Sequence, residues 1–327
     1  MGIMKTLRAG LPALAVIAVC MLAYAWDGQQ TTAVLRATLT FATPLVLCAL
    51  TGLLGERSGV VNIGIEGQLL AGAFVAFMVA TSVGVFWGTL AGIATGVILG
   101  LGLAVAAVNF HVDQIIAGTV ITILASGLTS FLYTQGRVIK GRMPTIKIPL
   151  LSRIPLFGEL LFNNQILTYL AIIAVFVVHV MLFWTRWGLR TRAVGEHPSA
   201  ADTAGINVGS LRRRNVAIAG GLAGLGGAFL SLQAASSFAR GMSANLGFLA
   251  LALMITGRWR PYLSAAAALF FGLCKGIATQ LQFKQVVSIP PQFVNALPYV
   301  LTLVVLTVFA GKVRAPAAAG VPYEIEG

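Results

Sequence analysis

The sequence predicts an all-α polytopic membrane protein with about ten transmembrane segments. Of its 327 residues, 58% are hydrophobic and only 9% are charged, and the mean hydropathy is +0.91. Soluble domains usually carry about 25% charged residues. So much apolar surface requires the lipid bilayer as solvent for most of the chain. We interpret residues 1–327 as a single transmembrane domain.

Ten apolar segments follow one another along the chain, and most have about the 20 residues that a helix needs to cross a bilayer. The eighth is too short to cross the hydrocarbon core alone. The first follows Lys5 and Arg8, and we expect it to be an uncleaved span, with a cleaved secretion signal as the alternative. The segments are 9–26, 33–54, 64–83, 86–110, 114–135, 166–185, 214–236, 244–257, 261–283 and 293–311.

Basic residues orient these segments, because Lys and Arg are enriched in cytoplasmic loops. Six arginines lie within 186–214, so we expect a cytoplasmic loop at 186–213. Counting spans from this loop places the tail 312–327 inside as well. The loop 136–165 then lies outside, although it is also basic. We attribute the net charge of +13 to Lys and Arg residues in cytoplasmic loops, and we expect no nucleic-acid partner.

Glycines recur every fourth residue in the fourth segment, at Gly88, Gly92, Gly96 and Gly100. This spacing lines one face of a helix with glycine and lets a neighbouring backbone approach closely. We expect tight static packing at this face, with a sliding or hinge surface as the alternative.

Two polar, glycine-containing stretches interrupt the apolar pattern. Residues 58–67 open into the third segment, and residues 237–247 open into the eighth. Because these segments are five apart, the two stretches would enter the membrane from opposite sides. Inverted repeats with broken helices have this organisation, and they commonly place the substrate path near the midplane.

No enzyme motif is present in the sequence. The chain contains no P-loop, no H-E-x-x-H and no G-x-S-x-G. Its three histidines are scattered, and Cys20, Cys48 and Cys274 lie in apolar runs without metal-ligand spacing. We therefore predict no catalytic residue, no metal site and no cofactor in this chain.

A short helix is predicted within the basic cytoplasmic loop. Pro198 can be its first residue, the following alanines favour helix, and Gly205 can end it in a left-handed cap. The helix would have about two turns. It is either an ordinary loop helix or a docking element for a soluble partner, with Glu196 and Asp202 available for pairing.

Four stretches carry a family resemblance, in order and at the expected spacing, from about residue 35 to the C-terminus. They read ERSGVVNIGIEGQLLAGAF, RAVGEHPSAADTAGINV, NLGFLALALMITGRWRP, and LPYVLTLVVLTVF followed by AGKVRAPAAAGVPYE. Together they resemble the permease subunits of ATP-binding-cassette importers. The branch that they resemble handles nucleosides and simple sugars and is related to the ribose and branched-chain amino acid permeases. The resemblance implies a type II-like importer permease in the bacterial cytoplasmic (inner) membrane.

The resemblance also implies how the protein is driven. The short cytoplasmic helix would be the coupling helix, which sits in a groove on the ATPase subunit. The family usually has Asn where this chain has His197. The implied partners are ABC ATPase subunits that bind ATP and Mg, a second permease chain and an extracytoplasmic solute-binding protein. The coupling residues implied are Gly195, Glu196, His197, Pro198, Ala201, Asp202, Thr203, Ala204 and Gly205.

The GRWRP stretch and the Pro-Tyr-Glu ending resemble the nucleoside-type members more than the ribose type. A nucleoside is neutral, flat and rich in donors and acceptors, so its path needs amides, hydroxyls and aromatic faces more than charge. A simple sugar or a flavin is the alternative solute. The candidates for the translocation path are Asn62, Gly64, Glu66, Gln68, Ser243, Asn245 and Phe248.

Structural roles compete with these assignments. Asn62 could instead cap the third helix, and Glu66 could pair with Arg57 or cap the helix that it begins. For Glu66 we favour the structural role. The rival function is an ion-coupled secondary transporter, which generally needs carboxylates on its path. The few acidic side chains near the predicted path disfavour it.

Overall fold

The computed structural model is almost entirely helical. It describes residues 27–147, 157–283 and 314–323, together with 21, 24, 149, 290 and several positions between 292 and 304. The helices are α1 Gly28–Arg57, α2 Ile65–Val83, α3 Val85–Val108, α4 Gln114–Leu132, α5 Phe157–Leu161, α6 Ile166–Trp184, α7 Arg186–Glu196, α8 Pro198–Thr203, α9 Val208–Ala228, α10 Leu246–Thr256 and α11 Pro261–Phe283. A π-helical turn, Phe229–Ala234, continues α9.

Seven helices of the described part are long and apolar enough to cross a membrane: α1, α2, α3, α4, α6, α9 with its π-helical turn, and α11. They match seven of the ten predicted segments. The predicted short segment is also confirmed, because α10 has 11 residues. At 1.5 Å per residue, α10 is about 16 Å long, roughly half of the hydrocarbon core. The first segment and most of the tenth lie outside the described residues.

Helix α1 forms the centre of the bundle. Its second half is almost continuously buried, and it packs against α9, α10 and α11. Leu47, Leu50 and Leu54 are among its fully buried side chains. A helix that is apolar on every side and enclosed by other helices is typical of the interior of a membrane bundle. α1 is therefore the element against which the polar stretches are positioned.

The glycine face of α3 forms the closest helix contact, as predicted. Gly96 abuts the carbonyl oxygen of Gly220 on α9, and a Cβ at Gly100 would lie 2.6 Å from the carbonyl oxygen of Val216. A Cβ at Gly88 would lie 2.6 Å from the carbonyl oxygen of Ala76 on α2. Small residues permit such approach between backbones in membranes. Helices α2, α3 and α9 thus form one tightly packed unit.

A two-stranded sheet is an addition to the all-helical prediction. Strand β1, Thr145–Lys147, pairs antiparallel with β2, Asn163–Gln165, and Thr145 lies opposite Gln165. The hydroxyl of Tyr169 on α6 donates to the carbonyl oxygen of Ile146 at 3.2 Å. The hairpin therefore rests on the first turn of α6. Short strands with mixed polarity give no period-2 signal, so the sequence did not predict them.

We expect Gly96→Ala to lower the free energy of unfolding by about 1–3 kcal/mol, because the added methyl group forces two backbones apart. Gly102→Ala is the matched control on the same helix, because nothing lies within 4 Å of a Cβ there. Since alanine favours helix over glycine, the control should be neutral or slightly stabilising. Thermal unfolding of the purified protein in detergent measures both, and equal midpoints would contradict the tight packing.

Candidate functional site

The two polar stretches predicted to be counterparts meet at Glu66. This residue lies in the first turn of α2, and its carboxylate is 6% exposed. Its Oε1 accepts a hydrogen bond from the backbone N–H of Asn245 at 2.9 Å, and its Oε2 accepts one from the N–H of Gly247 at 2.7 Å. Glu66 thus caps α10. The two expected alternatives, an ion pair with Arg57 and a cap on its own helix, are both wrong.

The start of α10 needs this carboxylate. The first amides of any helix have no acceptor within the helix. Residues Ala244 and Asn245 are left-handed, with φ of 45° and 64°, and the side chain of Asn245 makes no cap hydrogen bond. The negative charge of Glu66 also interacts favourably with the positive end of the helix dipole. A Cβ at Gly247 would lie 2.5 Å from the Glu66 nitrogen, so only glycine permits this approach.

The opposite end of α10 is held by the end of α1. The indole Nε1 of Trp259 donates to Oε2 of Glu56 at 2.6 Å. The Nε and Nη2 of Arg57 donate to the carbonyl oxygen of Trp259 at 3.1 and 3.0 Å. Trp259 is left-handed, with φ of 52°. The segment 56–66 therefore holds both ends of the half-length helix, and we call it the clamp segment.

Asn62 of the clamp segment forms a buried pair with Gln68 on α2. Both are fully buried, and Nδ2 of Asn62 donates to Oε1 of Gln68 at 3.0 Å. Gly64 is the N-cap residue of α2 and no side chain caps it, so the expectation that Asn62 caps this helix is wrong. The Asn62 Oδ1 and Gln68 Nε2 atoms are buried without a hydrogen-bond partner. Their contact with solute stays a prediction.

The second polar stretch is anchored by aromatic rings. Phe238 is buried, with ring centroids 5.2 Å from Phe74 on α2 and 5.1 Å from Tyr133 after α4. Ser243 is also buried, whereas the side chain of Phe248 is 40% exposed. The structure therefore joins Glu66 to Asn245 and Asn62 to Gln68, and Phe248 lies in the first turn of α10. Phe238 was not among the site residues predicted from the sequence, although an aromatic residue isolated in a polar stretch could have indicated an anchoring role.

The predicted cytoplasmic helix is present as α8. Pro198 is its first residue, His197 separates it from α7, and Gly205 follows it with φ of 80°. Its six residues make about 1.7 turns, which agrees with the expected length of about two turns. Ala201 is buried against Val194 and its neighbours, whereas Ala200, Thr203, Ala204 and Gly205 are exposed. α8 therefore presents a small, uncharged face to its surroundings.

The segment 314–323 packs on the loop 186–213, which was predicted to be cytoplasmic, and we call this segment the C-terminal strap. The backbone N–H of Ala318 donates to the carbonyl oxygen of Gly195 at 2.9 Å. The hydroxyl of Tyr323 donates to Oδ2 of Asp202 at 3.0 Å, and the N–H of Ala317 donates to Oε2 of Glu196 at 3.3 Å. The two acidic side chains predicted to be available for a partner are thus engaged by the chain itself.

The strap and the loop also contact the clamp segment. Arg212 is 2% exposed; its Nε donates to the carbonyl oxygen of Ser58 at 3.1 Å, and its Nη1 donates to that of Val321 at 3.0 Å. The N–H of Gly320 donates to the carbonyl oxygen of Gly59 at 3.2 Å. On the loop side, Gly195 abuts the carbonyl oxygen of Arg57. One continuous set of contacts therefore joins α8 to α10.

The described residues form seven helices of membrane length and one half-length helix whose two ends are bonded to the clamp segment. These features define a multi-pass membrane protein. Over the described ranges, no three His, Cys, Asp or Glu side chains are grouped so that they could hold a metal ion. The chain belongs to the family described as branched-chain amino acid transport system / permease component, whose profile matches residues 34–306. It is thus a transporter permease, which is a non-catalytic class of protein.

Several curated proteins resemble the chain over most of its length. The guanosine ABC transporter permease protein NupQ of Bacillus subtilis is 39% identical over 305 residues, which cover 89% of this chain and 96% of NupQ. The nucleoside ABC transporter permease protein NupC of Lactococcus lactis is 39% identical over 300 residues, covering 87% and 94%. The glucose ABC transporter permease protein TsgB13 of Haloferax volcanii is 27% identical over 267 residues, covering 73% and 67%. No solved structure matches.

We expect Glu66→Gln to lower the free energy of unfolding by about 2–3 kcal/mol. Glutamine has one acceptor oxygen where two backbone N–H groups need acceptors, and it lacks the charge. Glu56→Gln is the matched control, because a single amide oxygen can still accept from Trp259. Glu56→Gln should lower the free energy of unfolding by less than about 1 kcal/mol. Thermal unfolding in detergent compares the two, and equal losses would refute the cap.

Proposed function

We propose that this chain forms the translocation path for nucleosides in an ATP-driven importer. The supporting observations are the named specificities of its relatives and the contacts that connect an exposed cytoplasmic helix to a half-length helix within the bundle. A simple sugar is the second candidate, because TsgB13 carries a glucose permease name. A flavin or an ion-coupled mechanism finds no comparable support.

The proposed assembly contains several other components. ABC ATPase subunits would bind ATP and Mg and supply the energy, since this chain is a permease component. A second permease chain, identical or homologous, would complete the path, and an extracytoplasmic binding protein would deliver the solute. The assembly would lie among the lipids of the bacterial cytoplasmic membrane, and this chain would form a single domain with its loop 186–213 and tail 312–327 in the cytoplasm.

The directions of α2 and α10 support inverted repeats. Glu66 lies in the first turn of α2, and its carboxylate caps the start of α10. The two helices therefore begin close to one point. α10 runs towards Trp259, beside Arg57 and the cytoplasmic loop. α2 runs towards the loop 136–165, where the N–H of Lys140 donates to the carbonyl oxygen of Ala80 at 3.1 Å. Helices that diverge from one point match broken elements of opposite orientation. The two segments outside the described residues would complete ten spans.

The cytoplasmic loop is proposed to transmit the movement of the ATPase. The exposed face of α8 would dock in a groove of that subunit. A displacement of α8 would pass through Gly195 to the backbone of Arg57, and through the Arg57 side chain to Trp259 at the end of α10. Glu196 and Asp202 would then fix the shape of the loop through the strap, and would contribute less to pairing with the ATPase than the sequence implied.

We expect Ala200→Asp to abolish co-purification of the ATPase and nucleoside uptake, because it places a charge on the face proposed for docking. The fold should be unaffected, since Ala200 is exposed. Gln135→Asp is the control, because it adds the same charge at an exposed position outside the cytoplasmic loop. An Ala200→Asp complex that stays assembled and active would show that α8 does not couple the subunits.

Uptake competition tests the solute most directly. Cells that express the complete transporter should take up labelled guanosine, and unlabelled nucleosides should compete while free ribose and glucose should not. A nucleoside site holds the base as well as the sugar, so a molecule lacking either part should bind more weakly. Competition by glucose but not by nucleosides would favour the sugar alternative.

A further inference from the structure

A polar cavity lies at the end of the bundle opposite the cytoplasmic loop. Its volume is about 360 Å³, and it is lined by residues of α1, the two-stranded sheet, the first turn of α6 and the π-helical turn after α9. Ligand sites usually have volumes of about 300–1,000 Å³ and lie in concave, largely pre-formed places. None of the path residues predicted from the sequence lines it.

Amides and hydroxyls dominate the wall of this cavity. They come from Thr145, Asn164, Gln165, Thr168 and Gln233, and Arg36 adds one guanidinium. No carboxylate is among the lining residues. Side chains of this kind can donate and accept hydrogen bonds with an uncharged solute.

Two lining amides have unused hydrogen-bonding capacity. The Nε2 of Gln233 donates to Oγ1 of Thr168 at 2.7 Å, which orients the glutamine. Its Oε1 is buried without a partner, and so is the Oε1 of Gln165. Buried polar atoms are nearly always hydrogen-bonded, so each exception needs an explanation. Both residues line the cavity, and a solute that presents several donors would satisfy these acceptors once the two amides turn towards it.

Gln233 lies in an irregular turn of the helix backbone. α9 ends at Ala228 and continues as the π-helical turn Phe229–Ala234. A π turn contains one more residue than an α turn, which changes the direction of the side chains that follow. Such turns are rare and occur frequently at functional sites. The helix therefore departs from regular geometry at the residue that contacts Thr168.

We propose that this cavity is a solute-binding site at the mouth of the translocation path, and that it takes a neutral nucleoside. The acceptors of Gln233 and Gln165 would receive the sugar hydroxyls or amino groups of the base, and the planar guanidinium of Arg36 would lie against the base. This inference rests on the proposed function, because it assigns a place to the proposed solute.

The test uses the complete transporter, with its ATPase and binding protein, reconstituted in vesicles. Guanosine uptake and ATP hydrolysis are measured together at saturating loaded binding protein. Gln233→Leu and Gln165→Leu should each lower the guanosine transported per ATP by about three- to tenfold, the equivalent of one lost hydrogen bond. Gln29→Leu is the control, because Gln29 is exposed and does not line the cavity.

A second measurement does not depend on transport. In the Gln233→Cys variant, guanosine should slow the reaction of the new thiol with a polar thiol reagent. Cys48 and Cys274 are buried and should contribute little background; Cys20→Ser removes the remaining thiol. Failure of these variants to fold would be visible as loss of the assembled complex, and Gln233→Asn, which keeps the amide, should then recover assembly and the guanosine transported per ATP.

The possible results separate the inference from the proposed function. If the wild type transports guanosine but Gln233→Leu and Gln165→Leu match it, the cavity is not the site and the proposed function stands. Protection by guanosine monophosphate but not guanosine would overturn the assignment to a neutral solute. If the wild type transports no nucleoside, the proposed function fails together with this inference.

Discussion

The carboxylate of Glu66 allows a helix to begin inside the bundle. In a bilayer no water is present to accept hydrogen bonds from the first amides of a helix, and each unpaired group costs several kcal/mol. α10 is about half as long as the core is thick, so its first amides need acceptors supplied by the protein. Glu66 supplies two, to Asn245 and Gly247. The start of α10 therefore depends on this single side chain.

The clamp segment gives α10 a connection to the loop 186–213. Glu66 holds one end of the helix, and Glu56 and Arg57 hold the turn at the other. The backbone of Arg57 in turn abuts Gly195. In contrast, α2, α3 and α9 are locked together by glycine contacts that leave no space between backbones. The tightly packed unit is thus distinct from the half-length helix, which packs on α1 and has both ends bonded to the clamp segment.

Features with a local cause were predictable from the sequence. Length and hydropathy predicted the seven membrane-length helices and the short one, because burial in lipid requires continuous apolar runs. The four-residue spacing of glycines on α3 predicted the close contact with a neighbour. Pro198 and Gly205 predicted both ends of α8, since their backbone preferences are intrinsic to the residues.

Features that depend on tertiary partners were not predictable. Glu66 and Asn245 are 179 residues apart, and nothing in either stretch identifies the other as its partner. For the same reason the pairing of Asn62 with Gln68 was not predicted, and the helix cap offered as one alternative for Asn62 is wrong. The strap was predicted only as a tail, because it uses its own backbone groups in all but one of these hydrogen bonds, and backbone groups leave no pattern in the sequence. The π turn at Gln233 also has no sequence signature.

Hydrogen–deuterium exchange tests the central claim, that Glu66 caps α10, most directly. In the assembled transporter the amides of Asn245 and Gly247 should exchange slowly, and replacement of Glu66 by alanine should accelerate both by at least about tenfold, since each loses its acceptor. The exchange rates of amides in α3 and α9, which belong to the tightly packed unit, should not change. Unaltered exchange at Asn245 and Gly247 in that variant would contradict the account.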